Sequence, residues 1–266
     1  MRLATLLLLL AALSLRPTVQ AQAPSDIDPE RAAVRALMAS LLERIYLSEV
    51  VGDFETLLVE ESGSTSDAQA DSIRTAFDRV AVVETITRTL ADSLTLDAAR
   101  ALETWMDQPA VRRAQRADSV YLFDPNTDAD FEAFGQALGQ AIPLDTTRAQ
   151  LTYYVEESTR GGEVLTDMTL LLIEGFVPEA GEMTADERAE LRATMLPSMQ
   201  DYSVLSTYYI YQDLTLEELA AYAQAVDTPE GVRYYQDFAQ AFSVAVSEGI
   251  RAVVEVFELE IDPQED

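Results

Sequence analysis

Leu214-Thr-Leu-Glu-Glu-Leu-Ala-Ala-Tyr-Ala-Gln-Ala-Val-Asp-Thr-Pro-Glu-Gly231 carries the strongest local signals in the chain. Thr215 followed three residues later by Glu218 is a capping box, each side chain taking a free backbone N–H of the other residue. Leu214 before the cap and Leu219 after it suit a hydrophobic staple. The helix that starts here must stop at Asp227-Thr228, because Pro229 disfavours the helical conformation in the residue before it. Pro229 also fits the first position of a new helix, with Thr228 as its N-cap and Glu230 in its first turn. The stretch therefore predicts a helix–turn–helix hairpin.

An upstream segment repeats it at a constant offset of 120 residues, Leu94-Thr-Leu-Asp-Ala-Ala-Arg-Ala-Leu-Glu-Thr-Trp-Met-Asp-Gln-Pro109. Leu94/Leu214, Thr95/Thr215, Leu96/Leu216, Ala101/Ala221, Asp107/Asp227 and Pro109/Pro229 are identical. With one extra residue allowed in the second copy, Val111-Arg112 meets Val232-Arg233. Ala98 stands where the capping-box Glu would be, so the upstream copy is the weaker one. The pair reads as an internal duplication.

The stretch 214–231 also resembles the signature of a bacterial secreted domain of unknown function, the family catalogued as DUF 2059. Members of that family have a signal peptide, an all-helical body and an LTxEEL…xxPxG pattern near the C-terminus. The resemblance covers about eighteen residues, with a degenerate echo at Leu94–Pro109. It implies fold and location only, since the family carries no assigned activity and no catalytic residues to transfer.

Met1-Arg2, the apolar run Leu3–Leu15 and the small-residue site Val19-Gln20-Ala21 read as a secretory signal peptide over 1–21. The run is too short to span a bilayer. No later segment has eighteen uncharged apolar residues; the best, Val164–Val177, is interrupted by Asp167 and Glu174. The expectation is an exported protein, periplasmic or secreted, with no membrane insertion once the signal is removed.

Composition narrows the chemistry further. The net charge is −29, and −31 without the two arginines of the signal. A field of that sign repels nucleic-acid phosphates and anionic lipid. All 18 basic residues are arginine. Heavy acid loading without lysine fits either a salt-adapted, halophilic surface or an acidic protein from a GC-rich genome. Without His there is no Ser-His-Asp triad and no usual zinc site. Without Cys there is no disulfide or thiolate, and without Lys no Schiff base or P-loop. Carboxylate, Tyr, Ser/Thr and Arg chemistry survive.

Helical stripes fill the chain. Asp28-Pro29 starts the first, with Val34, Leu37, Met38, Leu41, Leu42, Ile45 and Tyr46 on one face. Phe54, Leu57 and Leu58 form a shorter one before Gly63–Ser66. Ile73, Phe77, Val80, Val83, Ile86 and Leu90 predict one continuous helix. Phe131 to Ile142 closes the first half, 26–142, and Pro143 opens the second, 143–260. In the second half, Gly161-Gly162 breaks a helix, with a β-hairpin as the alternative. Thr184 with Glu187 is another capping box, and Pro197 kinks or ends the helix it starts. The last helix carries Tyr235, Phe238, Phe242, Val246, Ile250, Val253 and Phe257, weakened at Gly249. The fold predicted is all-α, a helical bundle of two tandem related halves.

Asp124, Asn126, Asp128 and Asp130 space oxygens like the start of an EF-hand loop, but Ala129 and Gly135 stand where Gly and the bidentate Glu are needed. These are weak metal candidates, and capping of the following helix is the plainer account. Arg112, Arg113 and Arg116 suit a ligand carboxylate or phosphate, or the chain's own acids. Nine of eleven tyrosines lie between 153 and 235, suiting an aromatic groove or packing between helices. Trp105 is expected in the core. Glu84, Glu156, Glu157 and Glu174 are the first choices for a carboxylate pair. No cofactor is called for. The expected function is a non-enzymatic binding or interaction module with an unknown protein or small-molecule partner; the alternative is a carboxylate-dependent hydrolase of polysaccharide or cell wall.

Overall fold

The computed structural model describes residues 28–61, 66–123, 127–137, 146–176 and 183–261. The described residues form twelve helices and no strand. They are α1 (Pro29–Arg44), α2 (Leu47–Glu61), α3 (Asp67–Phe77), α4 (Arg79–Ser93), α5 (Leu96–Met106) and α6 (Pro109–Phe123). Then come α7 (Thr127–Ala137), α8 (Thr147–Thr159), α9 (Gly161–Phe176), α10 (Ala185–Ile210), α11 (Leu216–Val226) and α12 (Pro229–Ile261). The fold is an all-α bundle.

The caps form as the residues dictate. Asp28 accepts from the Glu30 N–H at 3.1 Å. Complete capping boxes form at Thr184/Glu187 and Thr215/Glu218, and Thr95 accepts from Ala98 N–H alone. Pro197 does not end α10, which runs through it. At the Gly pair there is no β-hairpin: Arg160 takes the left-handed conformation, φ 57°, and α9 starts directly at Gly161. Gly162 is required by packing, because a Cβ there would lie 2.6 Å from the Gln200 Cα of α10.

The two hairpins match in detail. α5 and α11 begin and end at equivalent positions, and their buried residues correspond: Ala99/Leu219, Leu102/Tyr222, Trp105/Ala225 and Met106/Val226. The C-caps Asp107 and Asp227 share a backbone conformation, φ −81° and −84°. α6 and α12 both begin at the proline, and burial continues at the same offset, Val111 with Gly231 and Ala114 with Tyr234. The helices then diverge, α6 running 15 residues and α12 running 33. The two hairpins touch at positions 120 residues apart, where the Trp105 indole N–H donates to the Ala225 carbonyl at 2.8 Å.

Two further expectations are corrected. The stripe from Ile73 to Leu90 is not one helix. Asp78, at φ 29°, turns the chain between α3 and α4 and caps α4 through the Val80 and Ala81 N–H groups. Val80 is consequently 74% exposed, while Val82 takes the buried place. Tyr46 leaves the first stripe as well: α1 ends at Arg44, and Tyr46 forms the α1–α2 corner at φ 57°.

α12 is the axis of the bundle. It packs against α3, α4, α5, α8, α9 and α11. Phe242 meets Phe54 edge-on at 6.3 Å, and Gly249 lets α12 pass Phe77, whose ring a Cβ would approach to 2.7 Å. One apolar core therefore runs from Val34 to Val253.

Candidate functional site

α6 positions the site. Val111, Ala114 and Tyr121 bury one face of it, and Asp118 stands in the same 3–4 phase where an apolar residue belongs. With its neighbours Gln115, Ser119 and Leu122, Asp118 lines a shallow depression closed by Ile45 and Tyr46 of the α1–α2 corner. The cavity measures about 10 Å³, the size of a single water. The Tyr46 ring, 41% exposed, stands edge-on to Phe123 at 4.9 Å, and Phe123 is itself 51% exposed.

Behind the depression lies a chain of hydroxyls. The Tyr211 hydroxyl lies beside the Asp118 carboxyl and donates to the Tyr222 hydroxyl at 3.4 Å. Tyr222 in turn is hydrogen-bonded to Tyr235. Tyr234 and Tyr235 flank Trp105, with ring centroids at 5.2 and 6.3 Å. Four helical segments thus converge on one polar thread: α6, the end of α10, α11 and the start of α12.

Asp118 is only half-buried by surface, yet the helices crowded around its carboxyl withdraw water from it. That desolvation pushes its pKa from 3.8 up to about 7, against the opposing Tyr211 hydrogen bond. Burial first, and neighbouring negative charge second, hold Tyr211, Tyr222 and Tyr235 well above the ordinary tyrosine range. Asp118 makes no ion pair with any arginine among the described residues.

The carboxylates singled out above do not converge. Glu84 pairs with Arg35 at 2.6 Å, and Glu174 pairs with Arg188. Glu156 is buried and caps α9, accepting the Gly162 N–H at 2.9 Å. Burial raises its pKa, with the Gly162 bond opposing. Glu157 beside it is exposed. Two of the three clustered arginines pair with the chain's own acids, Arg112 with Asp107 at 2.9 Å and Arg113 with Glu218 at 3.4 Å, and Arg116 makes no ion pair among the described residues. Arg112 first, then Arg44, holds the Asp107 carboxyl below its usual range. Asp124 and Asn126 lie outside the described residues. Asp128 and Asp130 fall in the first turn of α7, with Asp130 exposed, and no group of three metal-binding side chains occurs among the described residues.

Tyr202 and Tyr209 pack on Phe131 and Tyr208 on Phe134, while Tyr153 and Tyr154 are exposed. Trp105 is 2% exposed, a core residue. No protein-family model matches the chain, and no curated protein or solved structure matches it. The site therefore rests on its own geometry. Asp118 was missed in reading stripes by their apolar members, and the signal that marks it is an acid in the buried phase of α6.

Proposed function

We propose that the chain is an exported, non-enzymatic binding module of the periplasm or cell exterior, working through the surface around the α1–α2 corner and α6. One observation carries this reading. A carboxyl without a cationic partner is held half-buried at the floor of a depression whose rim exposes two aromatic rings. Desolvating such a group costs stability, and that cost is a mark of functional sites. The export half of the reading rests on the signal-like residues 1–21 and on the resemblance at Leu214–Gly231.

Hydrolysis is favoured less. Glycoside cleavage needs two carboxyls roughly 5–10 Å apart across a sugar-sized cleft. Each acid considered for that role has a separate partner or stands exposed, and the best-formed depressions hold about one water each. The test is retention from the organism's own envelope extract, comparing the mature protein with a Tyr46→Ser/Phe123→Ser variant. A protein held by the wild type and lost by the variant is expected. Equal retention, or polysaccharide turnover abolished by changing a single acid, overturns the proposal. N-terminal sequencing of the exported form is expected to begin at Gln22.

A further inference from the structure

We infer that the depression on α6 receives a primary ammonium group from outside the chain. This rests on the binding reading above and names the chemistry of what is bound. The ligand class follows from size, charge and hydrogen-bond count. The depression, about 10 Å³, has room for a head the size of a water, which suits the small head of an alkylammonium.

Its polar lining comes from one helix face, from Gln115, Asp118 and Ser119, whose hydroxyl proton goes to the Arg116 carbonyl at 2.9 Å. Each of these side chains carries an oxygen able to accept a bond. Residues at these i, i+3 and i+4 positions lie side by side on a helix. An ammonium has three N–H donors and no acceptor, so it satisfies all three together. Tyr46 supplies an aromatic wall for the cation, and Ile45 and Leu122 supply apolar surface for the alkyl stem. The chain has no lysine, so no ammonium side chain of its own can fill the place, and the −29 field draws cations toward it.

The groups facing the Asp118 carboxyl from the surrounding elements are Tyr211, Tyr222, Tyr234 and Tyr235, all uncharged at neutral pH. Asp118 alone therefore sets the pH dependence. Its carboxyl is half ionised near pH 7, and the ammonium requires the ionised form.

The test is calorimetric titration of the full exported chain with n-butylamine and with Nα-acetyl-lysine methylamide, in salt at about 0.15 M to screen the surface. Binding is expected near pH 8, weakening about a hundredfold toward pH 5 as the carboxyl takes up its proton. Near pH 7 binding should release a proton, seen as a heat that changes with the buffer's ionisation enthalpy. Asp118→Asn should lose at least tenfold, and Tyr46→Ala a fewfold. Gln115→Leu and Ser119→Ala, which leave the charge in place, should each weaken binding measurably.

Binding of both probes assigns a free amine or a lysine alike, and binding of the lysyl probe alone assigns a partner's lysine. Absence of binding for both at pH 8, or unchanged affinity in Asp118→Asn or in both neutral variants, overturns the inference. Failure here with Tyr46/Phe123-dependent retention intact removes the ammonium assignment and leaves the binding role standing. Loss of both removes both.

Discussion

Replacing Asp118 by Asn should stabilise the protein at alkaline pH and do little at acid pH. The folded carboxyl titrates at about 7 and the unfolded one near 3.8. A raised acid contributes no penalty below the unfolded value, where both states are protonated. As pH rises from 3.8 toward 7, the unfolded state ionises and the folded state does not, so stability is lost through that window and then levels off. At about 1.4 kcal/mol per unit, the full loss is about 4 kcal/mol, of which about 2 to 3 kcal/mol falls between pH 5 and pH 8. Asn is isosteric with the protonated acid, but it never ionises. The advantage of Asp118→Asn over wild type should thus grow by about 2 to 3 kcal/mol from pH 5 to pH 8. Urea unfolding of both proteins at both pH values measures it. An advantage that stays constant with pH, or a variant destabilised equally at both, would refute the reasoning that water is withdrawn from this carboxyl.

The hairpin caps differ in kind, so their deletion should differ in size. Thr215→Ala breaks a two-way box and should cost about 1 kcal/mol, while Thr95→Ala loses one bond and should cost less; equal losses by chemical denaturation would contradict this. Gly162→Ala places a methyl 2.6 Å from Gln200 Cα, a backbone contact that cannot rotate away, and should cost about 3 kcal/mol or more. Gly249→Ala meets the Phe77 ring at 2.7 Å instead and should cost less, because a side chain can shift; thermal melts of the pair give the order. Salt should raise the melting temperature by screening the net charge of −29, and a melt unchanged from low to molar salt would remove the salt-adapted reading.

Helix starts were legible in the residues. Capping boxes at Thr184 and Thr215 and the proline restart at Pro229 depend on neighbours within one turn, and they form as read. Asp118 was not singled out by that reading, although an acid in the phase of Val111, Ala114 and Tyr121 cannot reach water freely. Tertiary packing decided the rest. The break at Asp78 and the left-handed corner at Tyr46 keep apolar spacing intact across them, so periodicity alone cannot see the turn. The place of α12 between α3, α4 and α9 depends on close approaches at Gly249 and on Phe54, contributed by segments far apart in the chain. The depression itself exists because the α1–α2 corner, more than sixty residues upstream, is brought over one face of α6. A helix start is written in three or four residues; which helices share a core is settled only when all their interfaces compete at once.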